Sequence, residues 1–279
     1  MKPNRIALAA FSLLFASPVF AQVGQSSDSL SRIHSPTPPP AAQMTPQATA
    51  DAAKQRIAAD KKAGRVPDRK TLQMLLSAQS QLKDEAGMAD TLEEQAADYN
   101  DPNDWSEIIA LTFSTPGLRD QDQIWLGRLL FVVGAPVPPS DASTVGQIAS
   151  QHGFFGDAVN AKAHGGQVEP DPTPRADSDK KTMTDQIAQQ ATQDGAFNAK
   201  LAEALFGYGM YPQAEAAAKL AIQKGGDPAE APMVLGQALT AQGKYDDAVA
   251  AFGQVKGGGP ATPRIARLWT AYAKIKKRG

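Results

Sequence analysis

Beyond about residue 45, apolar residues recur at spacings of three and four along most of the chain, and the two-residue alternation of half-buried strands is nearly absent. Thr45-Pro46 has the form of a helix N-cap followed by proline at the first helical position, and Gly64 closes that segment. A second start falls at Pro67-Asp68, where Leu72, Leu75, Leu76, Leu82, Met88 and Leu92 keep helical spacing up to the turn-forming DYNDPND. The run DQIWLGRLLFVVG, Asp122 to Gly134, is apolar almost all round and too short to cross a bilayer, which predicts a buried core helix. Residues 140–162 read as a helical hairpin broken near Gly153. GGQVEPDPTPRADSD, with three prolines and several charges, reads as an internal linker over 167–180. The pattern predicts degenerate helical repeats over 46–166 and further helices over 181–279.

Two segments precede this pattern. Residues 1–21 carry Lys2 and Arg5 ahead of a short apolar run and end in Val19-Phe20-Ala21, the layout of an export signal cleaved after Ala21, which implies a periplasmic location. Residues 22–45 are rich in Ser, Pro and Gln, hold little to bury, and are expected to be a disordered spacer. With no cysteine in the chain, neither a lipidated thiol at the cleavage site nor a disulfide can form.

Compared with itself at a shift of 34 residues, the C-terminal third repeats. Leu201/Leu235, Ala204/Ala238, Leu205/Leu239, Gly209/Gly243, Tyr211/Tyr245, Ala214/Ala248, Ala216/Ala250 and Ala217/Ala251 are identical pairs. Leu235, Gly236, Leu239, Ala248, Phe252 and Pro260, with Gly243 and Tyr245 at the intervening turn, resemble the tetratricopeptide repeat family. The preceding unit keeps Leu201, Ala202, Leu205, Gly209, Tyr211 and Ala214 but has Ala218 in place of the aromatic. Val145, Gly146, Ala149, Gly153, Phe155 and Ala158 form a weaker copy, and Pro102, Pro136 and Pro170 are spaced as closing prolines. Arg264 to Arg278, with Ile265, Leu268, Trp269, Tyr272 and Ile275 on one stripe, reads as the capping helix of the array.

The resemblance implies an all-α fold, a tetratricopeptide-like solenoid of helical hairpins, and a ligand groove formed by the first helix of each unit. On that face it puts Gln147, Ser150, Glu203, Phe206, Met233, Gln237 and Thr240 as partner-binding residues. It implies a protein or peptide partner, of which Phe206 and Met233 would be apolar anchors. None of the four residues Glu203, Phe206, Met233 and Gln237 is a packing position of the repeat, so they are expected to be free for a ligand. Ala199 and Glu203 stand where family members that grip a terminal carboxylate carry cations and amides.

Charge and chemistry narrow the function. The formal charge of −1 hides a division: without the two cations of the signal and the six between Pro263 and Gly279, the remaining span stands at −9. An acidic body of this kind argues against nucleic acid. The basic end (Arg264, Arg267, Lys274, Lys276, Lys277, Arg278) suits a solvated helix C-terminus or, on a second reading, contact with an anionic envelope surface. No nucleophile, base and orienting group can be assembled, no Walker or dinucleotide glycine pattern occurs, and His34, His152 and His164 lack metal-ligand spacing. The expectation is a binding protein with no catalytic site, metal or cofactor. The Asp/Asn cluster between Asp98 and Asp104 lacks the glycine and terminal Glu of a calcium loop, which leaves an inter-repeat turn.

Overall fold

A computed structural model describes residues 44–279; the expected signal and nearly all of the expected spacer lie outside the described residues. Thirteen α-helices and no strand are present among the described residues. Helices α1 (Pro46–Lys62), α2 (Arg69–Leu82), α3 (Glu85–Tyr99) and α4 (Pro102–Phe113) lead to α5 (Asp120–Val132). Then come α6 (Pro139–Gln151), α7 (Phe155–Ala163), α8 (Thr173–Gln189), α9 (Gly195–Gly207), α10 (Tyr211–Gln223), α11 (Glu230–Ala241), α12 (Tyr245–Phe252) and α13 (Thr262–Arg278). Each packs against the next, α9 and α11 also meet directly, and α13 touches α11, α5 and the distant α3.

The helix starts follow local chemistry. The Thr45 hydroxyl accepts from the Ala48 amide at 3.2 Å, with Pro46 in the first turn. The continuous pattern from Leu72 to Leu92 is divided: Lys83 is left-handed at φ 57° and Asp84 caps α3 by accepting from the Gly87 amide at 2.9 Å. The Asp/Asn cluster is a turn. There Asn100 is left-handed, Asp101 caps α4, and Asp104 pairs with Arg69 at 2.8 Å.

The repeat residues behave as packing residues. Ala202, Ala214 and Ala248 are fully buried, and a Cβ added at Gly236 would meet the Phe252 ring, so the glycine permits the close approach of α11 and α12. Gly209 and Gly243 turn each hairpin at φ 72° and 74°, a conformation that L side chains rarely adopt.

The expected linker over 167–180 is instead ordered. Val168 is buried and packs against Gly146 of α6, and the Gln167 amide donates to the Ser143 hydroxyl at 2.8 Å. Thr173 already begins α8, whose Ala176 and Met183 are buried. The prolines misled because Pro172 and Pro174 occupy the N-cap and first turn of that helix, where a missing N–H is harmless. Residues 44–279 accordingly form one unit rather than two. Its main core runs from α3 to α13 and includes Trp105, Trp125, Leu129, Leu205, Phe252 and Trp269.

Candidate functional site

Three of the residues expected to line a ligand groove, Glu203, Phe206 and Gln237, are engaged by the protein's own α5. Trp125 donates its indole N–H to Glu203 Oε1 at 2.8 Å. Arg128 donates from Nη1 to Glu203 Oε2 at 2.5 Å and to Gln237 Oε1 at 2.8 Å, and forms two parallel bonds to Asp157 at 2.8 and 2.7 Å. Its guanidinium carbon lies 4.4 Å from the centre of the Phe206 ring. Glu203, Phe206 and Gln237 thus all meet Arg128, and α5 closes the face that they share.

Burial decides against a free ligand channel here. Glu203 is 1% exposed, and Met233 and Gln237 are 0% exposed. Thr240 is buried with its hydroxyl donating to the Gly236 carbonyl at 2.8 Å. Phe206, Gln147 and Ser150 are half-buried, and Gln147 Oε1 accepts only a long 3.4 Å bond from the Glu169 amide. Burial pushes the Glu203 carboxyl above its ordinary range, with Arg128 opposing that shift. One signal could have disclosed this arrangement: a lone arginine in the middle of an otherwise apolar helix must find buried carboxylates.

An open concavity lies elsewhere, along the outer face of α13. It has a volume of about 840 Å³. Its floor is the stripe Arg267, Ala271, Lys274 and Arg278 of α13; Ala97 and Asp98 of α3 form one wall and Tyr245 and Val249 of α12 the other. A second cleft of about 630 Å³ continues over α3, reaching Lys61, Asp90 and Glu94. None of these residues was singled out from the repeat pattern as a binding residue, because the groove joins α3 to helices some 150 positions later in the chain.

The basic end is largely paired within the protein. Arg264 meets Asp90 at 2.9 Å, Arg267 meets Glu93 at 2.7 Å, and Lys277 meets Asp246 at 2.6 Å. Arg278 donates to the Ala97 carbonyl at 3.3 Å. Lys274, exposed on the groove floor, has no acidic partner among the described residues. On the facing wall, burial and then the Glu94 carboxylate one turn away push the Asp98 carboxyl above its usual range. Glu94 in turn pairs with Lys61 at 2.8 Å.

Among the described residues, no group of three or more acidic or histidine side chains is placed to hold a metal ion, and no helix is long and apolar enough to cross a membrane. His152 is an exposed partner of Asp120, and His164 stacks on Phe131. Comparison with protein-family models yields no match, and comparison with curated proteins yields none either.

Proposed function

We propose that this chain is an exported helical-repeat protein of tetratricopeptide type that docks a partner protein in the bacterial envelope and performs no catalysis. The export signal, the 34-residue repeat and the absence of an assembled catalytic constellation in the sequence support that class. The docking surface in this reading is the groove between α3, α12 and α13. The observation that carries it is the pairing of a filled inner face with an open outer one: Glu203 and Gln237 are bonded to Arg128 of α5 and Met233 is buried, while a groove of about 840 Å³ with half-buried Ala97, Tyr245, Val249 and Ala271 stays open.

Adhesion to an anionic surface through the basic end has less support. Four of the six cations of that end already bond to acids or a carbonyl of the same protein.

The test is capture from envelope extract by immobilised protein beginning at Gln22, compared with an Ala271→Trp variant whose indole would fill the groove. Capture should be lost in the variant while its helical circular dichroism and melting temperature are unchanged. Undiminished capture by the variant would remove the groove from the proposal.

A further inference from the structure

The charges lining the outer groove define the kind of segment that fits it, an inference that rests on the docking reading above. From Arg267 to Arg278 the floor of the groove runs twelve residues along α13, or about 16 Å at the α-helical rise, the length of three turns. Helices α3 and α12 flank it as two neighbouring helices flank a third, and small side chains, Ala97 and Ala271, stand where a close helix contact needs them.

Two charges without an ion pair among the described residues fall on opposite sides of that path, Lys274 and Asp98; Lys61 and Arg278 act on Asp98 but form no ion pair with it. Lys274 projects from the floor without an acidic partner. Across from it Glu94 and Asp98 stand one turn apart on α3, a like-charge spacing that is unfavourable by itself, and Lys61 bonds to Glu94. A carboxylate over Lys274 and a cation over Asp98 would satisfy both.

We infer that the groove receives an amphipathic helix of a partner protein, with its apolar face on Ala97, Tyr245, Val249 and Ala271, an acidic edge toward Lys274 and a basic edge toward Asp98. A bilayer surface fits the same place poorly. The floor is recessed between two helices, and three of its four cations, Arg267, Lys277 and Arg278, already bond within the protein, which leaves Lys274 alone to meet an anionic headgroup.

The probe is a stapled helical peptide of about 14 residues, long enough to hold three turns, with leucines on one face, glutamates on one flank and lysines on the other. It should bind the wild-type protein, and versions with both flanks acidic or both basic should bind about tenfold more weakly. Lys274→Glu and Asp98→Lys should each weaken the mixed peptide by a similar factor. The exchanged pair Asp98→Lys with Lys274→Glu should restore it, because a helix laid in the reverse direction swaps its flanks. Equal binding of all three peptides, or failure of the exchange to restore binding, overturns the inference. So does binding of phosphatidylglycerol vesicles, lost in Lys274→Glu, where no peptide binds. If Ala271→Trp abolishes envelope capture but neither charge variant alters it, the groove remains the docking site and the two-edged helix falls; if Ala271→Trp changes nothing, both fall.

Discussion

Replacing Arg128 with methionine should remove the central tie between α5 and the helices around it. The guanidinium is 3% exposed and serves Asp157, Glu203 and Gln237 together. Methionine keeps most of the volume but leaves two carboxylates, 4% and 1% exposed, without their cation. Stranding buried charge in this way costs about 3–5 kcal/mol. For a unit of this size about 2–4 °C accompanies each kcal/mol, so the melting temperature should fall by roughly 10 °C at neutral pH. The pH dependence supplies an independent check. The Glu203 carboxyl is already raised by burial, so the stability contributed by its protonated form is fully present below the unfolded pKa and is lost as pH rises through the folded one. Without Arg128 the folded pKa rises further, and the gap between variant and wild type should narrow as pH is lowered from about 8 toward about 5. Differential scanning calorimetry at both pH values measures this. A triple replacement, Arg128→Met with Asp157→Leu and Glu203→Met, should recover most of the loss, because a well-packed apolar substitute is often neutral or better. A gap below about 1 kcal/mol, or one that does not change with pH, would refute the buried-charge account.

Three further outcomes follow from particular contacts. Gly236→Val should drive a branched side chain into the Phe252 ring and cost about 1–3 kcal/mol by overpacking, read as a lower urea midpoint. Hydrogen bonds from Lys219, Lys244 and Gln242 outweigh the burial of Glu215 and hold its carboxyl down to about 2. That stability is present above the unfolded pKa and lost as pH falls toward about 2, so Glu215→Gln should destabilise by about 1 kcal/mol at neutral pH and the difference should vanish in acid thermal melts. Phe206→Ala with Met233→Ala should destabilise by at least about 2 kcal/mol in chemical denaturation, the cost of truncating a fully buried methionine alone, whereas a spare ligand-binding pair would tolerate the change.

The helices were legible where periodicity, caps and turn glycines agreed. Thr45-Pro46, Gly153, Gly209 and Gly243 marked boundaries that depend only on residues close in sequence. The break at Lys83 was not legible, since the apolar spacing runs through it and only a left-handed lysine with an Asp84 cap divides the two helices. The prolines after Gly165 carried two meanings, loop and helix start, and the burial of Val168 against Gly146 decided between them. The repeat identified which face of α9 and α11 was shared, yet a repeat pattern describes only neighbours at 34-residue spacing. It carries no information about a helix from 75 or 109 residues upstream that enters the same space.

That entry of α5 changes what the fold can offer a partner. A peptide competing for the inner face would have to displace Trp125 and Arg128, breaking the indole bond to Glu203 and exposing Asp157 and Glu203 together. It would also disturb α13, since Trp269 donates to the Trp125 carbonyl at 3.1 Å and Tyr272 to the Val132 carbonyl at 3.0 Å. The same helix α13 is held to α3 by Arg264 and Arg267, whose partners Asp90 and Glu93 are exposed and half-buried. Such surface pairs contribute little individually, so the position of α13, and with it the floor of the outer groove, depends mainly on Trp269, Leu268 and Ile265 packed in the core. The inner face is thus taken up by α5, and in the proposed docking role the surface left for a partner is the one that α13 turns outward between α3 and α12.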